Sequence, residues 1–358
     1  MGSPAVRLAE TSDCSLLERM PKWLICVPIV AQWLWLSLRY RSATLPSAAN
    51  PNITAGGLVG EGKLEYFNNM GPLARSVTAP YCAVVNDKAV TESSLAIAMS
   101  QAGLCFPVVV KPDLGLCGYG VQLIADMAAL ENYLLQFPTG ETAVLQRYLP
   151  QEGEAGIFYA RDPKGDIGRV IGLALRYFPR VTGDGKRTVA QLIAADPRAK
   201  RIARSPRHEC RVSPTTVPRL GEEVRLATIG STRVGGLYRD GAALITPELT
   251  QAIDAVARDM PDFHFGRFDV RFDSADELSA GRSFTVMEIN GAGSEAIEAW
   301  DPTTSLLRGF RMIFAKQRML FAIAAKQREA GALPIGVRAL ARLNRRQIQL
   351  INRYPPSN

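Results

Sequence analysis

"GRFDVRFDSADELSAGRSFTVMEIN", residues 266–290, decides how this chain folds. In its opening letters Arg267, Asp269 and Arg271 alternate with Phe268, Val270 and Phe272. Successive side chains of a strand point to opposite sides, so one face is polar and the other apolar. A polar loop follows, and "SFTVMEIN" reads as the return strand of a hairpin. Glu288 and Asn290 are two apart and share a face. The two strands therefore converge Asp269, Glu288 and Asn290. Two carboxylates and an amide oxygen suit Mg²⁺, which takes oxygen ligands and keeps positions for water and substrate phosphates. A solvated face balanced by Arg267 and Arg271 would use the same letters. Against it, Glu288 and Asn290 interrupt an otherwise apolar strand.

A second stretch, "FPVVVKPDLGLCGYGV" (106–121), puts Lys111 at the end of a run of valines. A lysine inside an apolar strand is costly to desolvate unless an anion takes the place of its water. Gly115, Gly118 and Gly120 follow in a loop whose amides can approach an anion without Cβ interference. Lysine and glycine loop together point to phosphate. The spacing matches neither the dinucleotide nor the P-loop pattern, and "GDGKRT" (183–188) also lacks the latter. A glycine-rich turn beside a surface lysine is the structural alternative for this stretch alone.

Around these stretches, short strands alternate with helices from Gly62 to about Pro302, an α+β or α/β layout. "APYCAVV", "PVVVKP" and "TAVLQRYL" read as strands, and "ESSLAIAMSQAG" and "MAALENYLLQF" as helices. At 358 residues, 47% of them hydrophobic, the chain can bury one large domain or two. Six scattered cysteines with no CxxC pair imply reduced thiols in a cytosol, and two distant histidines leave little for His-based metal or triad chemistry. The net charge of +8 belongs to the tail. From Thr303 onward eleven Lys or Arg face one acid, Glu329, which leaves the body nearly neutral and argues against a nucleic-acid-binding core.

The ends are different in kind. Trp23 to Leu38 is an apolar run broken by Pro28 and Gln32 and followed by Arg39 and Arg41. It falls short of the roughly 20 residues that a bilayer span needs. A helix packed on the body and an interfacial helix both fit. "SLLRGFRMIFAKQRMLFAIAAKQREAG" repeats apolar residues at helical spacing opposite a basic face. The two segments either pack on the body or form a surface for an anionic cytoplasmic leaflet. The expected division is an apolar helix and connector over 1–60, an α+β region over 61–302 and a basic helical tail over 303–358.

In order along the chain, "GKLEYFNNMGPLARSVTAPYCAV", "PVVVKPDLGLCGYGV", "LQRYLPQEGEAG", "RYFPRVTGDGKRTVAQLI" with "GSTRVGG", and "GRFDVRFDS…FTVMEINGAG" resemble the motifs of the ATP-grasp carboxylate–amine ligases. D-alanine–D-alanine ligase and the ATP-grasp part of cyanophycin synthetase belong to that superfamily. The resemblance implies an α+β ATP-grasp fold over 61–302 whose two subdomains clasp ATP, a lid over about 80–148 and a metal-binding part over about 150–302. It gives nucleotide contacts to Lys63, Lys111 and the loop Gly115, Gly118 and Gly120. Backbone at Arg147, Tyr148 and Leu149 would meet adenine, and Glu154 the ribose. Asp269, Glu288 and Asn290 become the magnesium set, for two ions with Mn²⁺ able to substitute. Arg267 becomes the transition-state arginine, with Arg176 and Lys186 as contacts to substrate or γ-phosphate. The residues before Lys63 carry no βαβ pattern where the family places a further domain, and "GAGSEA" stands where the D-alanine ligases have a serine–proline turn.

The implied reaction joins a small or peptide carboxylate to an amine through an acyl phosphate, releasing ADP and phosphate. An ATP-grasp kinase and a non-catalytic nucleotide-binding protein at a membrane are the alternatives. The expected place is the cytoplasm, with possible contact to the inner face of the membrane.

Overall fold

The computed structural model describes residues 14–87, 89–165, 167–205 and 207–358. The class is α+β, built on two antiparallel sheets. The first sheet contains Tyr81–Val85 (β1), Val108–Pro112 (β2), Gln122–Ile124 (β3) and Thr142–Arg147 (β4), in the order β1-β4-β2-β3. Helices Glu92–Gln101 and Met127–Gln136 cover one side, burying Leu95, Met99, Leu130 and Tyr133 against Val108, Val110 and Leu145. Both helices begin where short polar side chains cap free amides, Thr91 accepting from Ser94 N–H and Asp126 from Ala129 N–H.

The second sheet contains Gly153–Ala160 (β5), Arg169–Tyr177 (β6), Leu237–Asp240 (β9), Phe265–Phe272 (β10) and Phe284–Asn290 (β11), in the order β11-β10-β5-β6-β9. Between β6 and β9, Arg180–Thr182 (β7) pairs with Glu223–Arg225 (β8) in a small subdomain with its own core, including Val189, Leu192 and Leu226. The hairpin expected from residues 266–290 is present. Its connection contains a short helix, Ala275–Ser279, capped by Ser274, instead of the polar loop expected.

One face of the second sheet is a closed core. Ile157, Tyr159, Phe268 and Val270 pack against Leu249, Ile253 and Val256 of the helix Pro247–Arg258. The opposite face is divided along its length. At one end the helix Leu306–Glu329 lays Leu320, Phe321 and Ala324 over Ala160 and Phe265, together with Leu36 of the helix Lys22–Tyr40. The other end forms the floor of a cleft.

The basic tail is two helices serving different lobes. Leu306–Glu329 belongs to the five-stranded sheet. Val337–Ile351 returns to the four-stranded one, where Leu350, Ile351 and Tyr354 complete the core and Tyr354 stacks on Phe137 at 5.3 Å. From there the chain runs as a strap. Asn358 N–H donates to the Val121 carbonyl and its Oδ1 accepts from Leu123 N–H. Its own carbonyl accepts from Thr228 N–H, which joins the first sheet to the small subdomain.

Candidate active site

The cleft, a cavity of about 240 Å³, opens between the two sheets and takes its floor from the polar face of β10 and β11. Along β10 the alternation is regular. Phe268 and Val270 enter the core, while Arg267, Asp269 and Arg271 line the cleft. Along β11 it is not. Val286 and Ile289 are both in the core, although a regular strand would send positions three apart to opposite faces. The register resolves this. Val270 pairs with Val286 and Asp269 with Glu288, so Met287 is an extra residue in a β-bulge. The bulge lets one strand contribute Val286 to the core and Glu288 and Asn290 to the cleft.

The bulge also ties the lobes together. The ammonium of Lys111, at the end of β2, donates to the Met287 carbonyl at 2.8 Å and to Gln146 Oε1 at 2.7 Å. Burial pushes this ammonium down to about 8, although Glu288 pulls it upward. Lys63, the first residue of the helix Lys63–Asn68, lies beside it. It donates to the carbonyl of Pro112 at 3.0 Å and lies 3.5 Å from Glu288 Oε1.

The floor is an ion-pair lattice. Asp269 is buried under Arg267 (Nε to Oδ1, 2.5 Å; Nη2 to Oδ2, 2.9 Å) and Arg176 (Nη1 to Oδ2, 3.1 Å), and the Asn290 amide donates to it at 3.3 Å. Burial pushes the carboxyl of Asp269 upward, but the two arginines outweigh it and hold it below the usual range. Glu154 is paired on both oxygens, with Arg176 at 3.1 Å and Arg271 at 3.2 Å. Gly156 makes this crowding possible, since a Cβ there would stand 2.9 Å from Arg267 Cδ.

Thus Lys111, Gly115, Gly118, Arg147, Tyr148, Leu149, Glu154, Arg176, Arg267, Asp269, Glu288 and Asn290 all line the cleft. Lys63 borders it through Glu288. Gly120 lies outside it, and a Cβ there would meet Pro112 and Tyr354, so its positive φ serves the loop's packing. Lys186 is exposed and is not among the lining residues. The "GDGK" turn is folded on itself, with Asp184 accepting from the amides of Lys186 and Arg187 and pairing with the Arg187 side chain. The glycine loop is held from the small subdomain. Arg233 donates to the carbonyls of Cys117 and Gly118, both at 3.3 Å, and lies over the Tyr119 ring.

Sequence reasoning missed Glu61 and Gln146. Glu61 lines the cleft, and burial pushes its carboxyl up to about 7. Its only sequence signal is an acid between two glycines just before Lys63. Gln146 was legible as a polar residue in the apolar strand "TAVLQRYL".

The donors Asp269, Glu288 and Asn290 fit a hard cation by chemistry. All three offer oxygen if the Asn290 amide is turned about, and Glu288 is partly open to solvent. Asp269 would have to yield an oxygen now held by an arginine.

No family model matches the sequence, and no curated protein matches it. Among solved structures the chain is similar to a bifunctional glutathione synthetase from Pasteurella multocida, at 14% identity and a TM-score of 0.37. That match covers 76% of this chain and 38% of the synthetase, so the chain spans well under half of that protein's length. It is also similar to the D-alanine–D-alanine ligase from Bacillus anthracis, at 13% identity and a TM-score of 0.41, over 78% of this chain and 73% of the ligase.

Proposed function

We propose that the chain is an ATP-dependent carboxylate–amine ligase of the ATP-grasp type. The observation that carries this reading is the meeting, in one cleft, of Lys111 from one sheet with Arg267, Asp269, Glu288 and Asn290 from the other.

Lys111 and the amides of the loop at 115–118 meet the α and β phosphates, with Lys63 beside them. The backbone at 147–149 lies along the adenine. Asp269, Glu288 and Asn290 would hold Mg²⁺, which would supply positive charge to the transferring phosphoryl group. A carboxylate oxygen of the first substrate attacks the γ-phosphorus and ADP leaves, giving an acyl phosphate. The amine nitrogen of the second substrate then attacks the acyl carbon, phosphate leaves and the amine loses its proton. Arg267 stabilises the negative charge of the acyl phosphate and of the tetrahedral adduct. Arg176 holds Asp269 and Glu154 in register beneath it. No protein nucleophile is needed, in keeping with a chain that has two histidines.

Hydroxylamine trapping tests the reaction. With ATP, Mg²⁺ and a panel of carboxylates, a hydroxamate and equimolar ADP are expected. A phosphorylated product without hydroxamate would make the protein a kinase, and ADP release under no condition would remove catalysis altogether. Glu288→Gln should keep the fold and most of the nucleotide affinity while turnover falls at least about a hundredfold, because the amide removes charge from the metal set. Parental turnover by this variant at saturating Mg²⁺ would sink the metal assignment.

A further inference from the structure

The helix Lys22–Tyr40 is apolar on two faces, and among the described residues only one of them is covered. On the covered side Ile25 and Leu36 are buried, Trp33 meets Phe321 edge-on at 5.0 Å, and Gln32 donates to the Phe314 carbonyl at 3.0 Å. On the other side Trp23, Val27, Val30, Leu34, Trp35 and Leu38 are at least half exposed and form a stripe along the whole helix. An outward face of a soluble helix is normally polar, and an exposed apolar stripe of this length marks a contact surface.

Charge identifies what it contacts. The sequence has no Asp or Glu between Arg19 and Gly60, and none between Pro302 and Arg328 on the packed partner helix. These stretches present Lys22, Arg39, Arg41, Arg311 and Arg318 to solvent. An open groove between the two helices is lined by Trp35, Leu36, Arg39, Tyr40, Arg318 and Met319. Arg39 lies over the rings of Trp35 and Tyr40, at 5.6 and 5.8 Å.

We propose that this face docks on an anionic lipid bilayer, with the helix lying in the plane of the interface and a lipid phosphate held between Arg39 and Arg318. The tryptophans sit at headgroup depth, where amphipathic rings are favoured, and the aliphatic stripe enters the acyl boundary. A spanning orientation is disfavoured because the packed helix would take Arg311 and Arg318 into hydrocarbon. A two-fold contact with a second copy would set the same cations against one another with no carboxylate between them.

The full chain is sedimented with phosphatidylcholine vesicles, with or without phosphatidylglycerol. Binding is expected only with the anionic lipid. It should fade as added salt shortens the Debye length from about 30 Å to about 8 Å. Reversing Arg39 and Arg318 to Glu should lower vesicle affinity at least about tenfold, since each basic residue near the surface contributes about 1 kcal/mol. Leu34→Glu with Leu38→Glu should do the same through the apolar stripe. Both pairs lie outside the cleft, so nucleotide binding should persist and report folding. Absence of vesicle binding at low salt overturns the proposal. So does equal binding to neutral vesicles, or a soluble dimer dissolved by Leu34→Glu. Tryptophan quenching by mid-bilayer bromines as strong as by shallow ones would show a spanning helix, and would also overturn it.

Discussion

Lys111 is held by a carbonyl and an amide oxygen, not by a carboxylate, and this sets how it answers a ligand. Its charge is incompletely compensated, so its ammonium sits at about 8 until an anion arrives. Lys111→Ala should weaken ATP binding about ten- to a hundredfold in calorimetry, the span of about 1.5–3 kcal/mol for a charge-assisted contact. Unchanged affinity would return Lys111 to a structural role. Glu61 behaves oppositely. Its folded carboxyl keeps a proton up to about 7, whereas the ordinary value is 4.5. Between those limits the native state binds more protons than the unfolded one, so stability falls as pH rises through the window. The full penalty stands above 7. Glu61→Gln should therefore raise stability above pH 7, by on the order of 2 kcal/mol, and change it little below pH 4.5. Urea titrations of both proteins on either side of the window would check this. A difference independent of pH would refute the cause given. Lys111 could be found in the sequence because a charge broke a run of valines. Glu61 could not, because its burial comes from contacts made across the fold and leaves no periodic mark.

Among the elements, the hairpin β10–β11 was the most legible, and its least legible feature is the bulge. Period-two reasoning assigned both faces of β10 and put Glu288 beside Asn290. It passed over the one-residue slip between Val286 and Ile289, which only the pairing with β10 exposes. Length should matter here more than identity. Met287→Leu should cost under about 1.5 kcal/mol, since Lys111 bonds to the main chain and the volume is kept. Deleting Met287 makes Val286 and Glu288 neighbours opposite Val270 and Asp269, so a regular ladder keeps Val286 in the core and Glu288 and Asn290 in the cleft. What goes is the carbonyl that holds Lys111, so nucleotide binding should weaken at least about tenfold while the fold is kept, as calorimetry and denaturation would show. Unchanged affinity would mean that the bulge does not place Lys111. The "GDGK" turn teaches the converse lesson. The resemblance set Lys186 of this turn against substrate or γ-phosphate, yet Asp184 satisfies the turn's own amides.

For the whole molecule, the alternation of strand and helix patterns left α+β and α/β both open, and charge counting located the basic tail but not its division between lobes. Both of its helices are basic, and three-dimensional fit sends one to each sheet. The strap that follows the second helix has a consequence in time. Strands β1 to β4 lie within one stretch of chain, and their pairing joins residues no more than 65 positions apart, Tyr81 with Gln146. The lobe's remaining contacts reach much further, with Asn358 meeting Leu123 across 235 positions and the Tyr354 hydroxyl meeting the Leu114 carbonyl across 240. Distant closures of this kind slow folding more than they alter stability. In a stopped-flow refolding experiment, far-ultraviolet sheet signal should therefore recover before the ability to bind a fluorescent ATP analogue. Simultaneous recovery of both signals would contradict that order. On that order the glycine loop is fastened last, and competence to bind would mark the end of the folding clock.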